Sequence, residues 1–314
     1  MVPPSAGVAP MTTRPLRPVT SDEIEAFHRD GAVLLERMLP TEWVERARSG
    51  LDAAYAVPDA LSGDLGPMRV DQFPAARCPD LRSLVEQSPL AEIVGRTLRS
   101  PVRFYMDQMF YKPQGWIPPT QWHQDTCYYN LGGDDLIRAW VSPDPVPRNL
   151  SLEVVRGSHR WNVTYSPLAG RDPDESERAK AMLDQARSDR PMLGAEAHDR
   201  WSYWSGIRDK SLPDVPNIEA QRDSFDILGW DYAPGDVLLF HGNILHSARG
   251  DFESDHPRRA HASLWAGRDV HYQHRIGQIV PDPIALYAHE PRSGQPLGDF
   301  PDVFPLLWSP DTEN

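Results

Sequence analysis

A histidine and an aspartate two positions apart, with a second histidine far downstream, are the residues of this chain best suited to bind a metal. His123 and Asp125 lie in Gln121-Trp122-His123-Gln124-Asp125, and His246 ends Asn243-Ile244-Leu245-His246. Two histidines and one carboxylate form the facial triad that holds non-haem iron(II) and leaves coordination positions open. Because residues i and i+2 of a strand point to the same face, we expect His123 and Asp125 to bind one side of a metal. His246 would then reach it from a neighbouring strand.

Other interpretations of these residues stay open. A chain with 11 histidines can contain a His-x-Asp pair by chance, as ordinary surface polarity, although aromatic neighbours such as Trp122 favour a walled site. His241 is a second candidate for the distal ligand. We favour His246, because His241 is explained as the polar end of a buried strand, Val237–His241.

A pair of arginines, Arg258 and Arg259, opens an alternating run that continues to Trp265. An arginine at the start of a strand beside a metal can bind the distal carboxylate of a co-substrate through its planar fork, and it stays charged at any working pH. Alternatively, both arginines are solvated at a strand end. Alternation cannot choose between them, since they face opposite sides of the strand.

The sequence resembles the phytanoyl-CoA dioxygenase family of iron(II)- and 2-oxoglutarate-dependent oxygenases, and the resemblance covers most of the chain. The segments that carry it occur in the family's order. They are Phe27–Glu36, Met109–Pro113, Trp122–Asp125, Glu153–His159, Pro234–His241, Leu245–Ser247 and Pro257–Ala260. One departure is Leu150, which follows Asn149 where the family commonly has glycine.

The resemblance implies a set of cofactors and roles. His123, Asp125 and His246 would bind Fe(2+), and 2-oxoglutarate would chelate the metal through its keto and adjacent carboxylate oxygens. Arg258, directly after the proline, would hold the other carboxylate, and O2 would take the remaining position. Oxidative decarboxylation to succinate and CO2 would then drive hydroxylation of a small-molecule metabolite, a chemistry common in secondary metabolism.

Three further residues are expected to contact the co-substrate. The segment Val102 to Lys112 alternates as a strand, and one face would carry Val102, Phe104, Met106, Gln108, Phe110 and Lys112. We expect Gln108 and Lys112 to reach the site, although Lys112 could instead end the strand in water. Trp140, in a strand from Ile137 to Val141, resembles the family position that packs beside the co-substrate, and ordinary core is the alternative.

The surrounding pattern predicts the fold that must position these residues. Ser21, Thr41 and Ser88 are candidate N-caps of helices, the last running to about Leu98, and Gly31 would close the first. Short strands separated by glycine and proline turns, with 32 prolines in all, favour a barrel over a parallel sheet. We predict a mainly β, distorted jelly-roll (double-stranded β-helix) barrel with N-terminal and inserted α-helices.

The motifs span nearly the whole chain, so we predict one oxygenase domain over residues 19–314, after a disordered tail at 1–18. Residues 166–225 interrupt the barrel between the two halves of the triad and are expected to form a lid or substrate insert. This segment contains a charged, helix-prone stretch, Glu175 to Arg187, and an aromatic cluster. Trp201 and Trp204 of that cluster are expected to contact the substrate.

Composition narrows the class of partners. The chain has 32 basic and 45 acidic residues and a net charge of −13, which argues against nucleic acid or an anionic membrane surface. Two cysteines favour a reducing, cytoplasmic location over a disulfide framework. No apolar run approaches the ~20 residues of a membrane span. We expect a small-molecule substrate and a monomer or homodimer.

The same residues are compatible with other functions. The same cofactors could support desaturation, epimerisation or cyclisation. Halogenases of this type lack the carboxylate, so Asp125 argues against halogenation. A zinc hydrolase uses similar ligands but has no need for Arg258 as a carboxylate clamp, and a non-catalytic barrel-fold binding protein is the other alternative.

Overall fold

Two unequal antiparallel sheets enclose the interior of the barrel. The computed structural model describes residues 11–58, 62–65, 68–117, 119–167, 211–250, 252–275, 282–286 and 289–312. The larger sheet has the order β1-β11-β8-β14-β4-β3-β2, with β16 also pairing with β4, and the smaller has the order β10-β9-β12-β6. Two-stranded ribbons join β13 to β5 and β15 to β7.

The strand bounds are β1 Ala32–Leu35, β2 Ser62–Leu65, β3 Met68–Gln72, β4 Val102–Lys112, β5 Gly115–Ile117, β6 Thr120–His123, β7 Leu131–Gly132, β8 Leu136–Val141, β9 Leu152–Val155, β10 Ile227–Gly229, β11 Val237–His241, β12 His246–Ala248, β13 Phe252–Ser254, β14 Arg258–Ala266, β15 His271–Tyr272 and β16 Leu306–Trp308. Most neighbouring strands in the two sheets come from distant parts of the chain, as in a jelly roll, whereas β2, β3 and β4 are neighbours in chain order. The predicted distorted jelly-roll fold is therefore confirmed.

Apolar side chains from both sheets meet inside the barrel. Trp140, Phe240 and Ala262 of the larger sheet belong to the same buried cluster as Val154 of the smaller sheet. The alternate residues of the larger sheet point outward, where the helices cover them. A sheet packed on one face and lining a cavity on the other is the scaffold that a buried site requires.

Four helices pack on the outer face of the larger sheet: α1 Ser21–Asp30, α2 Thr41–Ala56, α3 Pro79–Gln87 and α4 Leu90–Leu98; a short helix, α5 Pro283–Leu286, follows late in the chain. The first begins one residue earlier than expected, because Thr20 is its N-cap and forms a capping box with Glu23. Gly31 ends it with φ 82°, a left-handed conformation that suits glycine.

The other two predicted caps are also corrected. Thr41 is the first residue of α2, and Pro40 precedes it without a side-chain cap hydrogen bond. The helix expected from Ser88 to about Leu98 is α4, which begins at Leu90 after Pro89, and Ser88 is instead the C-cap of α3. A proline that follows Ser88 disfavours helical geometry at that serine.

The strand that was predicted from Val102 to Lys112 has these bounds, but its faces switch part way along. Leu264 pairs with Met106 and Trp265 with Phe104, so Tyr105 is an extra residue in β4. Such a bulge turns the residues before it to the opposite face. Val102 and Phe104 consequently pack with the helices, and only the part from Met106 onward keeps the predicted alternation toward the barrel interior.

Two residues within the predicted tail, 1–18, contact the helical layer. The Trp43 indole donates to the Thr12 carbonyl at 2.7 Å, and the Leu16 amide bonds to the Met38 carbonyl at 2.9 Å. These contacts fix residues 12–16 on the helical layer, while residues 1–10 lie outside the described residues. In the described part of the chain, no helix combines the length and apolar character that crossing a bilayer would require.

Candidate active site

The two candidate histidines are direct neighbours on the smaller sheet. His246, at the start of β12, pairs with His123, at the end of β6. Asp125 lies beyond the strand, where φ −77° and ψ −39° start a 3₁₀ turn. Its amide donates to the Gly242 carbonyl at 3.0 Å, which fixes this turn against the loop before His246. The carboxylate is thus positioned by a turn, not by the strand alternation that the sequence suggested.

The side chains of these residues converge on one point. One ligand atom from each of His123, Asp125 and His246 lies within 4.8 Å of the others. The Oδ1 atom of Asp125 is 3.8 Å from Nε2 of both histidines. Distances of this size leave room for a metal ion between the three atoms, since metal–ligand bonds are about 2 Å long.

Backbone carbonyls orient both imidazole rings. Nδ1 of His123 lies 2.7 Å from the Gln121 carbonyl, and Nδ1 of His246 lies 3.1 Å from the Ile244 carbonyl. Because a carbonyl only accepts hydrogen bonds, Nδ1 is the protonated nitrogen in each ring and Nε2 presents its lone pair to the centre.

The surroundings favour the protonation states that a metal needs. Burial lowers the pKa of His123 and lowers the pKa of His246 to about 3. Burial alone would raise the pKa of Asp125, but the Arg138 guanidinium and the two imidazoles outweigh it, and the pKa falls to about 2. Neutral imidazoles and an ionised carboxylate are the metal-binding forms of these groups.

His241 points away from this centre. Its ring packs 5.0 Å from the ring of His159, and its Nδ1 accepts a hydrogen bond from the Asn243 amide at 3.0 Å. Burial beside His159 lowers its pKa to about 4. The structure therefore brings His246, and not His241, to His123 and Asp125.

A cavity extends from the three candidate ligands between the two sheets. Its walls are mainly apolar or small: Phe110, Trp140, Val146, Leu152, Phe240, Ala260 and Ala262. Trp140 lines it, with its ring 4.9 Å from that of Tyr232 in an edge-to-face arrangement. Two small residues, Ala260 and Ala262, leave space along β14 between the candidate metal ligands and the start of that strand.

Two cations lie in the same cavity. Arg258 and Lys112 are paired residues on β14 and β4, and both line the cavity. Burial, together with the charge of Arg258, lowers the pKa of Lys112 to about 8. Burial also lowers the pKa of Arg258 to about 10. Buried positive charges of this kind are the partners that a carboxylate ligand requires.

Arg259 borders the cavity as well, but its guanidinium is engaged elsewhere. It donates to Asp144 at 2.6 and 2.9 Å and to both carboxylate oxygens of Asp52 at 2.9 Å. These bonds attach β14 to α2 and to the loop that contains Asp144. Of the two arginines that strand alternation could not separate, Arg258 has the side chain placed for a ligand, as the family resemblance implied.

Gln108 does not line the cavity. It lies behind Arg138, a residue that the sequence motifs did not indicate. Its Oε1 accepts a hydrogen bond from Arg138 at 2.7 Å, and its Nε2 donates to Gln72 at 2.9 Å. Arg138 is buried, lines the cavity and donates through Nε to Asp125 at 2.8 Å. A lone arginine in the apolar strand Leu136–Val141 was the available signal, because a buried charge needs a partner.

The expected substrate residues Trp201 and Trp204 lie outside the described residues. The part of the insert from residue 211 onward packs on the side of the smaller sheet away from the cavity. There Ile218 joins Trp122 and Leu245 in one buried cluster, and the Trp122 indole donates to Glu219 at 3.1 Å.

Comparisons with known proteins show the family of this chain. The family model described as Phytanoyl-CoA dioxygenase (PhyH) matches residues 27–260. An ectoine dioxygenase of Sphingopyxis alaskensis is 23% identical over 248 residues, covering 74% of this chain and 72% of that protein.

Two solved structures share the fold. The non-heme alpha ketoglutarate dependent epimerase SnoN from nogalamycin biosynthesis has a TM-score of 0.64 at 19% identity, covering 92% of this chain and 98% of its own. The carbocyclase SnoK from the same biosynthesis, also described as non-heme and alpha ketoglutarate dependent, has a TM-score of 0.63 at 19% identity, covering 92% and 97%.

Proposed function

This chain belongs to the phytanoyl-CoA dioxygenase family and is an iron(II)- and 2-oxoglutarate-dependent dioxygenase. We propose that it hydroxylates a small organic metabolite and that His123, Asp125 and His246 are its metal ligands. The observation that carries this assignment is the shared cavity. Three metal-ligand side chains and two buried cations line one space between the sheets.

The side chains fit iron(II) and 2-oxoglutarate. Two neutral imidazoles and one carboxylate are the donor set of a non-haem iron(II) site. A dicarboxylate co-substrate needs a cationic partner away from the metal, and Arg258 and Lys112 supply it. When bound, iron and 2-oxoglutarate provide the oxidising chemistry, with loss of CO2 and formation of succinate.

The protein's own residues bind, orient and exclude water. Carbonyl hydrogen bonds hold the histidine rings in the metal-binding tautomer. Arg258 and Lys112 neutralise the distal carboxylate of 2-oxoglutarate, while Trp140 packs against the co-substrate chain and keeps water from it. Gln108 contributes through Arg138 and not by direct contact.

Hydroxylation is the outcome we favour among those open to this site. It needs only a substrate C–H bond placed beside the oxidant. Desaturation, epimerisation and cyclisation need further control of the substrate radical, and the similar proteins SnoN and SnoK are described as an epimerase and a carbocyclase. Epimerisation and cyclisation are therefore the second candidates for the outcome.

We further propose that residues 19–314 form one oxygenase domain and that the insert at 166–225 supplies the substrate wall through Trp201 and Trp204. The aromatic content of the segment and its position between the two halves of the triad support this proposal. Replacing either tryptophan by alanine should impair substrate oxidation while slow, uncoupled consumption of 2-oxoglutarate continues.

The assignment is tested with metal-free protein to which one metal at a time is added. We expect iron(II) to support formation of succinate from 2-oxoglutarate and zinc(II) to support none. Asp125→Ala should lose both iron binding and succinate formation. Succinate formation that is equal with zinc and iron, or unaffected in Asp125→Ala, would contradict the proposed function.

A further inference from the structure

The two oxygens of the candidate metal carboxylate have different partners. Oδ1 of Asp125 faces the metal position, at 3.8 Å from Nε2 of both His123 and His246. Oδ2 instead accepts a hydrogen bond from Nε of Arg138 at 2.8 Å. The carboxylate is thus divided between the metal centre and a buried guanidinium.

The guanidinium is itself held in place from behind. Nη2 of Arg138 donates to Oε1 of Gln108 at 2.7 Å and to the hydroxyl of Tyr129 at 2.8 Å. Gln108 cannot turn its amide freely, because its Nε2 donates to Gln72 at 2.9 Å. Arg138 is only 2% exposed, so water does not compete for these bonds. The planar fork therefore presents Nε to Asp125 in one orientation.

This arrangement affects how Asp125 can bind a metal. A carboxylate ligates through one oxygen or through both, and two-oxygen binding would occupy a position that a co-substrate needs. Moving Oδ2 to the metal would break its bond to Nε and leave a buried charge without that partner, which is costly. The cost applies only to the two-oxygen state.

We propose that Arg138 is a positioning residue that restricts Asp125 to one-oxygen ligation and so preserves an open coordination position. The inference rests on the proposed function, since it takes Asp125 as a ligand of the bound metal. Gln108 and Tyr129 contribute indirectly, because they hold the Arg138 guanidinium in place without contacting the metal themselves.

The test compares two replacements of similar size. Arg138→Met removes the donor, whereas Arg138→Gln keeps one, because the amide nitrogen of glutamine occupies the same place along the side chain as Nε. Each protein is loaded with manganese(II), and water-proton relaxation gives the number of exchangeable waters on the metal. With three protein ligands and six-fold coordination, wild type should retain about three waters.

We expect Arg138→Met to bind manganese and to lose about one of these waters, a reduction of roughly a third in inner-sphere relaxivity, with six-fold coordination kept. Arg138→Gln should restore the wild-type value. Arg259→Met is the control, because it removes a well-paired arginine that does not contact Asp125, and it should leave the water count unchanged. Equal water counts in Arg138→Met and wild type would overturn the proposal.

A second measurement serves if Arg138→Met does not fold. A crystal structure of the wild-type protein with metal should show Oδ1 on the metal and Oδ2 on Arg138, and ligation by both oxygens or by Oδ2 alone would refute the inference. Failure of the wild-type protein to bind iron or manganese would instead remove the proposed function, and the inference with it. Metal binding with an unchanged water count in Arg138→Met removes the inference alone.

Discussion

Lys112 offers a sharp test of the cavity, because its positive charge is buried before any ligand arrives. It is 7% exposed, and burial beside Arg258 lowers its pKa from the ordinary 10.5 to about 8. The difference corresponds to about 3 kcal/mol against the charged form. Lys112→Met removes this charge and keeps an unbranched, apolar side chain that fits the same wall.

The pH dependence follows from the lowered pKa. Below pH 8, Lys112 is protonated in both the folded and the unfolded protein, and the folded state carries the whole penalty. Between about pH 8 and 10.5 the folded protein has lost the proton and the unfolded chain has not, so the penalty disappears as pH rises. Without co-substrate, Lys112→Met should therefore be more stable than wild type by up to about 3 kcal/mol at pH 7, and by less at pH 9.5.

Two assays check this prediction. Denaturant unfolding of the metal-free proteins at both pH values measures the stability difference. Anaerobic titration of the iron(II) proteins with 2-oxoglutarate, followed by the visible absorption of the chelate, measures the affinity that the charge supplies. We expect the variant to bind roughly 10- to 100-fold more weakly, the value of a hydrogen bond to a charged group.

The outcomes separate two parts of the reasoning. Equal stability of the two proteins at pH 7 would mean that the ammonium group reaches solvent and that the burial argument is wrong. A more stable variant with unchanged affinity for 2-oxoglutarate would keep the burial argument and place the co-substrate carboxylate elsewhere.

Three further predictions, made with five substitutions, address the neighbouring residues. Arg258→Met should raise the apparent KM for 2-oxoglutarate by two or more orders of magnitude, about 3 kcal/mol for a lost buried charge pair, and leave iron affinity intact. Arg259→Met should lower stability and leave the KM unchanged. The reverse pattern would exchange the roles of the two arginines. His246→Ala should abolish iron binding measured by metal analysis, whereas His241→Ala should retain it. Trp140→Ala should weaken 2-oxoglutarate binding in the chelate titration without loss of iron, and an unchanged affinity would place this ring away from the co-substrate.

Sequence reasoning succeeded for one local pattern, the strand β4, and for two long-range features. The bounds of β4 followed from alternation over Val102–Lys112, and the pairing of His123 with His246 across two strands was expected from the need for a second histidine. The jelly-roll fold followed from the order of short strands and from the family resemblance. In these cases few competing conformations fit the same residues.

The missed features depend on contacts between distant parts of the chain. The bulge at Tyr105 is visible only when β4 is paired with β14, and it decided which side Phe104 faces. Asp125 owes its position to the Gly242 carbonyl, which lies far downstream in the sequence. Gln108 seemed to face the co-substrate because alternation places it on the correct side. Its distance from the cavity is set by Arg138, from another strand.

The charge balance within the cavity differs from that of the whole chain, which carries −13. Arg138 offsets Asp125 through a direct hydrogen bond, and the two histidine ligands are neutral at pH 7 because their pKa values are lowered. Lys112 and Arg258 also carry positive charge at the cavity wall, where the Arg259 guanidinium is bonded to Asp144 and Asp52. An acidic surface disfavours general association with polyanions, while buried cations beside a metal centre favour a small dianion that fits between the sheets. Recognition of 2-oxoglutarate thus needs no basic surface, and removing either cation should weaken its binding more than any change to the exposed charges.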